Sequence, residues 1–72
     1  MVNVNLLKGK IVSKGMNIEK LSEKLSMDKG TLYRRLNNNG ETFTIKETDM
    51  IVKILDLSVK EATDIFFAQY VT

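Results

Sequence analysis

Apolar residues recur along the chain at helical spacing, and strand-like alternation is weak. Val4, Leu7 and Ile11 project to one side of a segment at about 5–14, with Val12 flanking them. Asn5 suits the N-cap of that helix, and Gly15 can end it in a left-handed conformation. After Asn17, a second N-cap, Ile18, Leu21 and Leu25 fall within about 60° of one another at 100° per residue. Glu19, Lys20, Glu23 and Lys24 take the opposite side. Ser26 and Met27 interrupt the run. Asp28 then stands where a third N-cap belongs, suiting both the cap and the helix dipole. The helix it opens reaches about residue 37.

In that third helix Leu32 and Leu36 share a face, which leaves Gly30, Thr31, Arg34 and Asn37 outward. NNNGET reads as loop, with Phe43 folding back as a core plug. TIKE (44–47) and SVKE (58–61) each match a capping box, Ser/Thr followed three residues later by Glu. The fourth helix, about 45–55, is expected to bury Ile51, Val52 and Leu55. The fifth, about 59–70, is expected to bury Val59, Ala62, Phe66 and Tyr70. Phe67 and Val71 lie to one side of that stripe; they cover the core's edge or form an oligomer or partner patch. There is no Pro, no linker, and no internal repeat beyond the two caps. The pattern predicts one all-α domain of five helices over residues 1–72.

Composition narrows this further. A chain of 72 residues is near the lower limit for folding unaided, and 43% apolar residues argue for a packed core. With no Cys or His, disulfides are excluded and a zinc site would need carboxylates alone. No metal or other cofactor is expected. No apolar run approaches the ~18 residues that span a membrane, and MVNVNLLKGK lacks the apolar stretch of a secretory signal. A soluble protein of the cytoplasm is expected. Acid–base chemistry would fall to Asp, Glu, Lys or Tyr, but the carboxylates are scattered at capping and i, i+4 positions. There is no Gly-rich phosphate loop. The expectation is no enzyme and no small-molecule substrate.

The net charge of +2 conceals an asymmetry. Residues 1–36 hold eight Lys/Arg against three acids, hence +5, and residues 37–72 hold three Lys against six acids, hence −3. A basic half points to a polyanion or an acidic protein as partner.

Two helices joined by a very short turn, with apolar residues facing each other, make a helix-turn-helix, here at about 17–37. The second helix of such a unit can enter the DNA major groove. Its outward face would carry Lys29, Gly30, Thr31 and Arg34, of which Arg can donate two hydrogen bonds to guanine. Lys20, Lys24 and Arg35 could meet phosphates. Tyr33, beside the leucine stripe, reads as edge packing, and Lys8, Lys10 and Lys14 as solvated charges.

MNIEKLSEKLSMDKGTLYRRLNN resembles the helix-turn-helix of the phage Cro and repressor (XRE-like) class. That class typically reads Leu-Thr-Gln-x-x-Leu-Ala-x-x-Leu-Gly-Val-Ser-x-x-Thr-Ile-Ser. Met16, Asn17, Leu21, Leu25, Met27, Asp28, Thr31 and Leu32 match its framework in kind, and FTIKETDMIVKILDLSVKEATDIFF resembles its later helices. The resemblance implies a lambda-repressor-like five-helix domain that binds a double-stranded DNA operator, usually as a homodimer, in the cytoplasm of a bacterial host. By position, Lys29, Gly30, Thr31 and Arg34 match the base-reading places, and Asn17 and Asn38 fall near phosphate-contacting ones. Three positions depart from the pattern. Ile18 replaces a backbone-contacting Gln, Ser26 replaces the turn Gly, and Gly30 has no side chain to read a base. Two functions follow: a transcriptional regulator of temperate-phage or prophage type, or an antirepressor that uses the same scaffold to bind a partner repressor.

Overall fold

Five α-helices follow one another in residues 2–67, the part of the chain that the computed structural model describes. They are α1 (Val4–Ser13), α2 (Ile18–Lys24), α3 (Lys29–Asn37), α4 (Ile45–Ile54) and α5 (Val59–Phe66), and no strand forms among the described residues. The Cα radius of gyration is 11.1 Å, the size of about 11 Å that a packed chain of this length should have.

Each helix start is capped by a side chain. Asn17 Oδ1 accepts from Lys20 N–H at 2.8 Å, and Asp28 Oδ2 from Gly30 N–H at 2.9 Å. Both capping boxes close: Thr44 and Glu47 exchange bonds of 2.8 and 3.0 Å, Ser58 and Glu61 bonds of 2.9 and 3.1 Å. The first cap differs from expectation. It is Asn3, accepting from Leu6 N–H at 3.1 Å, and Asn5 lies inside the helix. Two asparagines two residues apart cap equally well by type, and a tertiary bond distinguishes them. Asn3 N–H donates to Ile65 C=O at 2.7 Å, which pins that residue at the helix start.

The four helix ends before α5 share one device. Gly15, Ser26, Asn39 and Asp56 stand one residue past the caps of α1 to α4, all with positive φ. At each end, the following amide reaches back five residues and the left-handed residue's own amide reaches back three. Examples are Met16 N–H to Ile11 C=O and Gly15 N–H to Val12 C=O. This is the Schellman arrangement. Three of the ends continue identically: a left-handed residue, an apolar residue, then the next N-cap. Gly15-Met16-Asn17, Ser26-Met27-Asp28 and Asp56-Leu57-Ser58 are thus one repeated joint. Its central residue packs on the core and serves the end of one helix and the start of the next. The fourth joint has Gly40 at that place. Its φ is +69°, and Val2 occupies the space a side chain would fill, 2.7 Å from where a Cβ would stand.

The core is built from Leu7, Ile11, Leu21, Leu32, Ile51, Leu55 and Ile65, all fully buried. In it α2 packs on α3 and α4, and α1 on α5. Phe43 packs against it as expected, and Val52 does so partly. The fifth helix differs from its expected stripe. Val59 is 86% exposed, while Ile65 and Phe66 are buried and Ala62 half-buried. The apolar arc centres on Ala62, and Val59 sits at its edge in the first turn, where no neighbour covers it. Tyr70 lies outside the described residues.

Two of the cations expected to be solvated join the helices instead. Lys10 on α1 pairs with Glu61 on α5, and Lys14 Nζ donates to Asp56 C=O at 3.4 Å. The Lys10 ammonium, followed by the Ser58 amide and hydroxyl, lowers the Glu61 carboxyl from 4.5 to about 2. A depressed carboxyl contributes stability that is present above its unfolded value and lost as pH falls through the folded one. The stability of the wild type should therefore drop between about pH 4.5 and 2. Lys10→Met should flatten that drop in urea titrations at stepped pH; an unchanged slope would refute the assignment. Gly40→Ala should cost about 1–3 kcal/mol in thermal unfolding, because it overpacks Val2 and holds Ala at positive φ.

Candidate functional site

Leu32 and Leu36 anchor α3 from behind and so set which side chains it presents. Lys29, Arg34 and Asn37 are exposed, and Gly30 and Thr31 are half-buried. The space beside Gly30 is bounded by two side chains. A Cβ there would stand 3.0 Å from Asp28 Oδ2, the capping oxygen, and 3.4 Å from Arg34 Nη1. Arg34 lies back along its own helix, and its Nη2 donates to Thr31 Oγ1 at 3.0 Å. Gly30, Thr31 and Arg34 thus form one contiguous surface.

Arg35, its sequence neighbour, has a different occupation. Its Nη1 donates to Glu47 Oε1 at 2.8 Å and also to Thr42 C=O, with both charged side chains mostly buried. Glu47 Oε1 is the oxygen that also accepts from Thr44 N–H in the capping box. One carboxylate oxygen therefore ties α3 to the start of α4. Arg35 Nε is buried without a partner, a cost the other contacts must offset. Thr31, Arg34, Arg35 and Asn38 line one open groove with Thr42, so four of the candidate residues meet there.

Asn17 belongs to a second groove, with Lys8, Ile11, Val12, Ile18 and Tyr33. Its Oδ1 is engaged in capping Lys20 N–H, and the Lys20 side chain is exposed on α2. Ile18 is partly buried against the core, whereas Val12 is 72% exposed and Tyr33 46%. Phe67, 55% exposed, lines a third groove with Val2, Phe43, Ile45 and Phe66. Its companion Val71 lies outside the described residues. Lys29 and Lys20 line none of the three.

The basic half divides by use. Lys10, Lys14 and Arg35 bind groups of the acidic half, whereas the four ion pairs among the described residues leave out Lys8, Lys20, Lys24, Lys29 and Arg34. Among the described residues no group of three or more Asp or Glu could hold a metal ion, and no helix is long and apolar enough to cross a membrane.

Comparison with protein-family models, curated proteins and solved structures finds no match to this chain. The particulars of the chain itself therefore carry any functional reading.

The Arg35–Glu47 pair and the repeated joint are the features that sequence reading misses. For the first a signal existed: the capping box at 44–47 places Glu47 at a helix start, but nothing local indicates that residue 35 faces it. The two arginines should separate in denaturation. Arg35→Ala should lose about 1–3 kcal/mol, the cost of stripping partners from mostly buried polar groups. Arg34→Ala should stay within about 0.5 kcal/mol of wild type, as exposed substitutions do. Equal losses would refute the division of roles.

Proposed function

We propose that the chain is a sequence-specific DNA-binding transcriptional regulator of the phage Cro/repressor type, acting in the cytoplasm of a bacterial host. In this reading it is a lambda-repressor-like domain. α2 and α3 form the helix-turn-helix, and α3 lies in the major groove of a double-stranded operator. One observation carries it. The outward face of α3 presents Lys29 and Arg34 exposed and outside every ion pair among the described residues, on a helix held from behind by Leu32 and Leu36. Cations free of carboxylates can meet a polyanion without first breaking a pair, and a rigid helix fixes where they meet it. Lys20 and Asn17 on one flank and Asn38 on the other can supply backbone contacts. Arg35 would join them only by leaving Glu47, so its main role is to hold α3 to α4. The apolar groove at Phe67 and Ile45 offers a surface for a homodimer, the usual state of such regulators.

A second reading is favoured by the groove of Ile11, Val12, Ile18 and Tyr33. Lys8 and Asn17 also line it, yet its surface is mainly apolar where a phosphate-binding flank would be polar. An antirepressor that covers a partner repressor would use such a surface.

Binding to the operator region beside the protein's own gene, measured across a salt series, tests both. A DNA regulator should occupy a discrete site and weaken steeply with salt. Lys20→Ala should reduce the log–log salt slope by about one. A stable complex with a co-encoded repressor, together with no specific DNA binding at low salt, would overturn the first reading in favour of the second.

A further inference from the structure

We infer that α3 reads a guanine: Arg34, held by Thr31 across the space that Gly30 leaves open, presents its fork to the O6 and N7 acceptors of that base. This rests on the DNA-binding reading above and adds the base and the residues that select it.

Arginine is a long, flexible side chain, and a flexible donor selects poorly. Here the guanidinium is held at one point, and nothing obstructs it beside Gly30. Nη2 donates to Thr31 Oγ1 at 3.0 Å, and Nη1 lies where a Cβ on residue 30 would approach to 3.4 Å. Positions 31 and 30 precede Arg34 by three and four residues, so the group runs along the helix towards its N-terminus. That is the end of a recognition helix that comes nearest the base edges. Glycine at 30 keeps this path open. An added Cβ would only touch the guanidinium at 3.4 Å and would crowd Asp28 Oδ2 at 3.0 Å; a longer side chain would fill the path. The Asp28 oxygen is already engaged in capping Gly30 N–H at 2.9 Å, and the four ion pairs among the described residues do not include Arg34. A base-reading position without a side chain thus serves the side chain one turn later.

The chemistry of the fork selects the base. Guanidinium has five N–H donors and no acceptor. Thr31 takes one donor and leaves four. Guanine alone presents two adjacent acceptors in the major groove. Adenine pairs its acceptor with an amino donor, thymine offers one acceptor beside a methyl, and cytosine offers a donor. The Thr31 hydroxyl, which accepts from Arg34, keeps its own proton to donate to a neighbouring acceptor.

The test is selection from a randomised duplex library by wild type, Arg34→Lys, Thr31→Val, Thr31→Ser and Gly30→Ala, each checked for folding by thermal melting. Wild type should enrich sites with an invariant guanine. Arg34→Lys keeps the charge and loses the fork. It should keep the salt dependence and lose about 5- to 150-fold discrimination at that one position, the worth of a bidentate contact. Thr31→Val should relax the same position and Thr31→Ser should restore it, whereas Gly30→Ala, whose methyl only touches the guanidinium, should leave it sharp. A role of Thr31 in folding alone would not move base preference. If the guanine persists in Arg34→Lys, or Thr31→Val selects as sharply as wild type, the inference is wrong and DNA binding stands. If no duplex is enriched, the DNA-binding reading itself falls. Arg34→Lys weakening a complex with an acidic protein instead would assign the fork to a carboxylate and overturn the guanine assignment.

Discussion

Without proline, this chain stops a helix four times among residues 2–67, and each time it places a residue in the left-handed region, with two there at the end of α3. The rest of the structure depends on that constraint. A Schellman end fixes the direction in which the chain leaves a helix. When the next residue but one is already an N-cap, it also fixes the direction in which the next helix begins. The direction in which α3 starts is thus set at Ser26-Met27-Asp28. The burial of Leu32 and Leu36 then sets its rotation and turns Arg34 outward. Ser26 bears this geometry without being glycine, at roughly 1 kcal/mol for the left-handed conformation.

Charge reinforces the same geometry. Lys10, Lys14 and Arg35 come from the basic half, and each is bound to a group of the acidic half. Part of the asymmetry along the chain is therefore internal cement, and the residue left for a partner is smaller than the count implies. It is also better placed. Adjacent arginines point to opposite duties because 100° of helical rotation puts one against α4 and the other in solvent.

Helix existence and starts are legible in the sequence because capping is local chemistry: Asn17, Asp28, Thr44 and Ser58 each act on amides two or three residues away. The stripes of α2 and α3 are legible for the same reason. Where the expectation fails, a distant residue decides. Asn3 replaces Asn5 as a cap because of Ile65, and Val59 is exposed because the neighbours of α5 lie towards Ile65 and Phe66. The outward face of α3 follows from its leucines, yet the hold of Thr31 on Arg34 needs rotamers, which periodicity does not encode. The Arg35–Glu47 contact needs the turn at Asn39 and Gly40 to bring α3 back on α4.

The bond from Asn3 N–H to Ile65 C=O joins the first helix start to the last helix over sixty-two positions of chain. Loop closure costs more entropy as the loop lengthens, so this seam closes at greater cost than any of the four short joints. The joints form locally; the seam makes the five helices a single cooperative unit. The Asn3 amide proton is consequently a gauge of that unit: its exchange with solvent measures undocking of α1 from α5.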